Sequence, residues 1–244
     1  MLILQHLKNT GRATVDQLAA KFNATPQTIR KDLSHLSGGG DILRFHGGAT
    51  LVAGTEYMNF DARAQIARSE KDWIGRRVSA EIPNNSSLLI NSGTTTAAIV
   101  AHLGTHVGLK ITTDSVEMAN VLRRFAGIEV MVPGGIVRAS DGAILGDDAV
   151  RFIRNFRADI GIIGAAAIAE DGALLDYDLR EAAVTRAIIS SARNVILVAD
   201  SSKFGRSAPF CFGQINQVDQ LATDAACPPA LRALCNAQGV GVLG

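Results

Sequence analysis

The stretch Thr14–Leu33, TVDQLAAKFNATPQTIRKDL, holds two short helical patterns joined by a tight turn. The second begins Thr25-Pro26-Gln27-Thr28 and runs on through Arg30 and Lys31. Thr25 can cap the free N–H groups of that helix, and Pro26 suits its first position because proline has no N–H to satisfy. At about 100° per residue, Ile29, Leu33 and Leu36 share a buried stripe while Gln27, Lys31, Ser34 and His35 point away. This is the pattern of a helix-turn-helix, and it predicts docking on double-stranded DNA. Gln27 and Thr28 stand at the end that would enter a major groove, where Gln can pair bidentately with adenine and Thr can meet a base edge or a methyl group. Arg30, on the flank, suits a phosphate or a guanine. The alternative is an ordinary helical hairpin with a solvated polar face. Cap, proline, apolar spacing and basic flank occur together, which favours DNA.

Downstream, Ile42–Ala49 (ILRFHGGA) is a short apolar–polar strand ending in two glycines, preceded by Gly38-Gly39-Gly40. It predicts the hairpin of a winged helix-turn-helix. Arg44 and His46 would then meet the sugar-phosphate backbone, which positions a protein without reading sequence; the alternative for both is a solvated strand face. Residues 1–48 carry six Lys or Arg against three Asp or Glu, and the other 196 residues carry 18 against 20. The basic excess sits where phosphates would be met. It is small for one copy, so a homo-oligomer, dimer or tetramer, is expected.

These two motifs are joined by INSGTTT (Ile90–Thr96), VPGGIVR (Val132–Arg138), DYDLREAAVTRAII (Asp176–Ile189) and ADSSKFGR (Ala199–Arg206). In this order they make the chain resemble the DeoR family of bacterial transcriptional repressors along essentially its whole length. The resemblance implies an α/β protein with a winged helix-turn-helix at residues 1–50, a linker at 51–68 and a mostly parallel α/β sensor at 69–244. The sensor would share the fold of ribose-5-phosphate isomerases and CoA-transferases and bind a phosphorylated sugar or polyol, with no cofactor. Three departures from the family pattern stand out: a short first helix, Met1–Asn9; glycines and Asp41 at the base of the hairpin; and Asn91 where the family has Asp. A short first helix buries less apolar surface, and the glycines predict a looser hairpin and weaker DNA affinity.

Composition bounds the rest. At 244 residues, net charge +1 and 47% apolar residues, the chain fits a globular protein with one small and one full-sized domain. No apolar run approaches the roughly 20 residues of a membrane span. The start, MLILQHLKNTG, lacks the apolar core and cleavage site of a secretory signal. Three widely spaced cysteines (Cys211, Cys227, Cys235) suit a reducing cytoplasm without disulfides or zinc. His102 and His106 have the spacing of a helical metal pair, but Gly104 between them predicts a loop, and no metal is expected.

Leu51–Ala67 has no sustained period and reads as a linker. Helical spacing resumes over Ser69–Ile82, with Ser69 as the expected cap and Trp73 packing the helix onto the body of the protein. Beyond it, Leu88–Asn91, Leu109–Thr113, Ile128–Val132, Ile160–Gly164 and Val195–Ala199 predict buried strands. Thr95–Leu103, Val116–Phe125, Asp147–Phe156, Glu181–Ala192 and Pro229–Ala237 predict helices. Apolar strands alternating with helices imply a parallel sheet covered on both faces, with ligands at the carboxyl ends of its strands.

The loop Asn91-Ser92-Gly93-Thr94-Thr95-Thr96 follows the first of these strands and opens a helix. Gly93 lets backbone approach an anion, the threonine hydroxyls can donate, and a helix N-terminus favours negative charge; a plain Thr-rich cap is the alternative. Thr113 and Asp114 after the second strand could accept from ligand hydroxyls or could cap a helix with Ser115. Gly134 and Gly135 follow the third, and Arg138 could hold a phosphate bidentately or pair with Asp141 or another carboxylate. Lys203, just after Asp200, suits phosphate as a point charge. Glu181 could hold polyol hydroxyls or orient Lys203, whereas Asp178 is expected to cap a helix. Two classes of function follow: an effector-controlled repressor, or a sugar-phosphate isomerase or acyl-CoA transferase with a DNA-binding appendage, in which Glu181 or Asp114 would be the base. No convincing acid–base pair is present in the sequence, which favours the repressor and no catalytic residues.

Overall fold

The computed structural model describes residues 2–10, 12–38, 42–45, 47–51 and 60–244. The chain divides into two compact units, Met1–Met58 and Asn59–Gly244.

In the smaller unit, α1 (Leu2–Thr10), β1 (Arg12–Thr14), α2 (Val15–Phe22) and α3 (Pro26–Gly38) precede a hairpin of β2 (Ile42–Phe45) and β3 (Gly48–Leu51). The strands form an antiparallel sheet in the order β1-β3-β2. Thr14 and Gln17 start α2 with a capping box: Gln17 N–H donates to Thr14 Oγ1 (3.2 Å) and Thr14 N–H to Gln17 Oε1 (2.9 Å), satisfying two orphan donors reciprocally. Asn23, left-handed at φ 48°, ends the helix, and the turn Asn23-Ala24-Thr25 leads into α3. Ile3, Leu7, Val15, Leu18, Ile29, Leu33, Ile42 and Ala49 form the core. The short α1 thus contributes two buried anchors but leaves Leu2 73% exposed. Beside it is an open cleft of about 440 Å³ among Leu2, Ile3, Phe22, Ala24, Ile29 and Leu36.

The larger unit begins with α4 (Phe60–Gln65) and α5 (Arg68–Glu81), followed by β4 (Ser87–Ile90), α6 (Thr94–Val100), β5 (Leu109–Thr113), α7 (Val116–Leu122), β6 (Ile128–Met131), α8 (Asp147–Arg154), β7 (Ala158–Gly164), β8 (Ala167–Ile168), β9 (Ala173–Asp176), α9 (Leu179–Ser191), β10 (Ala192–Val198), β11 (Phe210–Gln214), β12 (Gln220–Ala222), α10 (Pro229–Ala237) and β13 (Gly241–Leu243). Seven strands pair in parallel in the order β13-β12-β10-β7-β4-β5-β6. Burial on both faces explains the unbroken apolar strands. Leu88, Ile90, Ile160, Ile162, Ile196 and Val198 pack with α5, α6 and α7. Leu89, Ile163, Val195 and Leu197 pack with α8, α9 and α10. A small antiparallel sheet, β11-β9-β8, stands apart from the main one.

The chain leaves β4 in one direction for β5 and β6, then returns on its other side for β7 and β10. The carboxyl ends of β4 and β7 therefore flank a switch point, where open α/β sheets place their ligand crevice.

Three expectations need correction. Part of the linker expected over residues 51–68 is helix: α4 belongs to the larger unit and packs on α6. Its missing periodicity reflects its short length. Ser69 does not cap α5; Ala67 holds the cap position, at φ 50°, without a side-chain bond, and Ser69 Oγ donates to Glu70 instead. Trp73 is 39% exposed with the Arg77 guanidinium 5.8 Å from its ring centre. Close packing of α5 on α6 comes instead from Gly75, where a Cβ would lie 2.6 Å from the Ala98 carbonyl oxygen.

Candidate functional sites

The residues expected to face DNA come from α3 and the β2–β3 hairpin. Thr25 caps α3 by accepting from Thr28 N–H (3.2 Å), and its hydroxyl also pairs with the Thr28 hydroxyl (2.9 Å). The cap therefore engages the Thr28 hydroxyl that was expected to meet a base edge. Gln27 is exposed, and its side chain makes no hydrogen bond among the described residues. Arg30 and Lys31 are exposed, whereas Ile29 and Leu33 are buried, as the helical spacing requires. On β2, Arg44 Nη1 donates to Ser34 Oγ (2.6 Å), and Ser34 Oγ donates to the Arg30 carbonyl. Arg44 thus braces the wing against α3 while remaining exposed. His46 lies outside the described residues.

In the larger unit the expected residues gather at the strand ends, but several are committed to the protein itself. Asn91 is buried; its Oδ1 accepts from Gly164 N–H (2.9 Å) and its Nδ2 donates to the Gly164 carbonyl (3.4 Å) and to Thr185 Oγ1 (3.2 Å). The amide clamps the ends of β4 and β7 together, so the expectation that it grips a ligand is corrected. An aspartate could accept from Gly164 N–H but could not donate to its carbonyl. Thr96 Oγ1 donates to the Asn91 and Gly93 carbonyls and is fully buried. Thr113 Oγ1 accepts from Ser115 N–H and donates to Met118 Sδ. Both hydroxyls satisfy their own turns, and Thr95 is buried as well. Ser92, Gly93 and Thr94 remain partly open. Gly93 is extended at φ 174°, a conformation open to any residue, but a Cβ there would lie 3.0 Å from Thr96 Oγ1.

The Arg138 guanidinium bonds Asp141 through Nε (2.8 Å) and Nη2, Asp178 through Nη1 (3.1 Å), and Glu181. Of its two expected roles, the ion pair with acidic side chains is the one present. Glu181 is held by Arg138, so it does not orient Lys203, and Asp178 caps α9 by accepting from Arg180 N–H (2.8 Å). Gly135 lies in the loop between β6 and Arg138.

Around this knot lie groups that the sequence reading did not assign. Arg63, on α4, reaches Asp141 Oδ2 (3.3 Å). Lys71, on α5, is only 4% exposed and donates to the Arg63 carbonyl (2.7 Å). Burial pushes its ammonium pKa down, and Arg63 and Arg206 add to that while Asp200 opposes it. Lys203 is partly exposed as a residue, yet desolvation brings its pKa down to about 8; Asp200 raises it, and Arg206, Lys71 and Arg63 lower it further. Asp200 is fully buried: Oδ1 accepts from Ser202, while Oδ2 has no hydrogen-bond partner among the described residues.

Two carboxyls are shifted the other way. Burial raises Asp114 to about 7 against the pull of Ser92 N–H, which donates to it at 2.6 Å, and Glu181 and Asp141 push in the same direction as burial. Burial and then Glu181 raise Asp176, also to about 7. A raised carboxyl pKa means that the folded state binds the Asp114 proton more tightly than the unfolded chain between about pH 4 and 7. Stability therefore falls as pH rises through that window. Asp114→Asn should consequently be more stable than wild type at pH 8, with the advantage shrinking by ~2–3 kcal/mol by pH 5. Urea unfolding of both proteins at the two pH values measures this. An advantage that does not depend on pH would contradict the assignment.

His102 and His106 go to separate partners, Asp72 and the Ser79 carbonyl. Among the described residues, no three His, Cys, Asp or Glu are placed to share a metal ion. Cys211, Cys227 and Cys235 are free thiols, and no helix among the described residues is long and apolar enough to cross a membrane.

A helix-turn-helix head followed by an α/β unit with charged side chains gathered after its parallel strands is the arrangement of a two-part regulator, a DNA reader and a sensor on one chain. The comparisons agree: residues 1–55 match the DeoR-like helix-turn-helix domain and residues 66–225 the DeoR C terminal sensor domain. The chain belongs to the DeoR family. It is 40% identical over 226 residues to the glycerol-3-phosphate regulon repressor of Escherichia coli (strain K12), covering 93% of this chain and 90% of the relative. It is 36% identical over 230 residues to the HTH-type transcriptional repressor CsqR of the same organism, covering 94% and 88%. Among solved structures it is similar to ribose 5-phosphate isomerase A from Methanocaldococcus jannaschii, at TM-score 0.43 and 13% identity over 57% of this chain and 55% of that one.

Proposed function

We propose that this chain is a cytoplasmic transcriptional repressor that grips double-stranded operator DNA as a homo-oligomer and is released by a phosphorylated polyol or sugar. The observation that carries the reading is the crowd of Lys203, Lys71 and Arg63 about Asp200 at the strand ends. Arg63 lowers the pKa values of Lys71 and Lys203, and Lys71 lowers that of Lys203; a phosphate dianion among them turns that repulsion into attraction. The unpartnered Asp200 Oδ2 supplies an acceptor for a ligand hydroxyl. Identity to the glycerol-3-phosphate regulon repressor makes glycerol 3-phosphate the first ligand to try and genes of glycerol or sugar catabolism the first targets.

The test is anisotropy of a duplex selected by the protein from random sequences. Millimolar glycerol 3-phosphate or a related phosphate ester should release it, with the metabolite recovered unchanged. One observation favours the enzyme reading, a buried Asp114 with a pKa of about 7, suited to general acid–base work. Multiple turnovers of glycerol 3-phosphate or ribose 5-phosphate would establish that reading and overturn the repressor.

A further inference from the structure

We propose that Ser34 is a positioning residue for DNA binding. It holds the Arg44 guanidinium where α3 meets the β2–β3 hairpin, so that the remaining donors of Arg44 take one backbone phosphate of the duplex. The inference rests on the DNA-binding reading above and adds to it a residue that helical spacing alone leaves on the outer face of α3.

The direction of the hydrogen bonds is the first support. Ser34 Oγ has one proton and gives it to the Arg30 carbonyl, one turn back on α3, at 2.9 Å. The oxygen is left with lone pairs to offer, and it accepts from Arg44 Nη1 at 2.6 Å. A guanidinium carries five donors in a rigid plane. One is spent on Ser34, and Arg44 makes no other hydrogen bond or ion pair among the described residues. The other donors belong to an exposed side chain that is anchored to α3 at one end.

The hairpin supplies the second support. Arg44 stands two residues from Ile42 on β2 and directly opposite Ala49 on β3. Ile42 and Ala49 are both buried in the core of the smaller unit. Alternation along a strand therefore puts Arg44 on the inner face of the hairpin, and its length carries the guanidinium out to Ser34. This bond ties β2 to α3 independently of the glycines Gly38-Gly39-Gly40 between them. A braced arginine loses less rotamer freedom when it takes a phosphate than one swinging on a hairpin.

Charge is the third. Arg30 and Lys31 precede Ser34 by four and three residues and are exposed, so they share its side of the helix. Asp32, two residues away, falls on another side. A phosphate held by Arg44 thus meets a cationic surface.

The experiment measures affinity and salt dependence on a selected and a random duplex. It compares full-length wild type, Ser34→Ala, Ser34→Thr, Arg44→Ala and the Ser34→Ala/Arg44→Ala double variant. Ser34→Ala should weaken both duplexes roughly three- to tenfold, the cost of ordering a freed arginine, yet keep the slope of log K against log salt. Arg44→Ala should weaken both by about tenfold or more and flatten the slope by about 0.9. In the double variant, Ser34→Ala should add nothing, because Ser34 acts only through Arg44. Ser34→Thr keeps the hydroxyl and should behave as wild type. Ser34 is exposed and alanine favours helix, so Ser34→Ala should fold, which its unfolding temperature verifies. Unchanged affinity in Ser34→Ala, an effect that adds in full to that of Arg44→Ala, or an unaltered slope in Arg44→Ala would overturn this inference alone if wild type still holds duplex. Wild type that retains no duplex at low salt would overturn the DNA-binding reading and this inference with it.

Discussion

Lys203→Ala should weaken glycerol 3-phosphate binding about 100-fold or more while changing operator affinity less than twofold. The ammonium is desolvated, so a charge-assisted bond to phosphate faces little competition from water. Removing one partner of such a pair costs roughly 2–5 kcal/mol, and about 2.7 kcal/mol is a hundredfold change in Kd. The pH dependence identifies the group. With Lys203 at about 8 in the free protein, a bound dianion raises its pKa, and binding takes up a proton. Affinity should therefore be full below pH 8 and decline as pH rises through it toward the bound-state pKa. Calorimetry at pH 7 and 9, in buffers of different ionisation enthalpy, reads both the affinity and the proton. Equal affinity and equal proton uptake in Lys203→Ala would remove Lys203 from the site.

The second large effect concerns the head. Arg30→Ala with Lys31→Ala should weaken binding to every duplex by a similar factor, tenfold or more. It should also flatten the slope of log K against log salt by about one unit per cation lost from a phosphate contact. Neither side chain makes an ion pair among the described residues and both are exposed, so the fold does not depend on them. Gln27→Ala should instead narrow the gap between preferred and random duplexes, by ~1–3 kcal/mol for a lost bidentate contact. Salt titrations on a selected and a random duplex separate the two behaviours. Unchanged affinity and slope in the double variant would show that α3 does not dock as proposed.

The parts legible in the sequence share one physical property: their signal is local. Thr25-Pro26 and the Ile29–Leu33 spacing fix α3 within one turn, and sheet strands buried on both faces announce themselves as apolar runs. Strands β12 and β13, of three residues each, are too short to show a period. Strand β8 has only two residues, and the antiparallel pairing of β9 with β11 joins distant parts of the sequence. At the site, Lys203 and Arg138 stand out because they follow strands. Arg63 and Lys71 could not be found that way. One lies in a segment without periodicity, and the other is a buried lysine on a helix where a charge ordinarily faces water. Thr96, Thr113 and Asn91 carry the right chemistry for a ligand, but backbone groups that only the folded turns bring near them engage it first.

The central claim is that operator and metabolite oppose each other through one protein. Calorimetric titration of glycerol 3-phosphate into the free chain and into the chain saturated with its selected duplex tests this most directly. Linkage requires that if ligand lowers DNA affinity by a given factor, DNA lowers ligand affinity by the same factor. The account predicts ligand binding at least fivefold weaker in the DNA complex, matched by an equal loss of DNA affinity at saturating ligand. Tight ligand binding with identical affinity in the two titrations would contradict it.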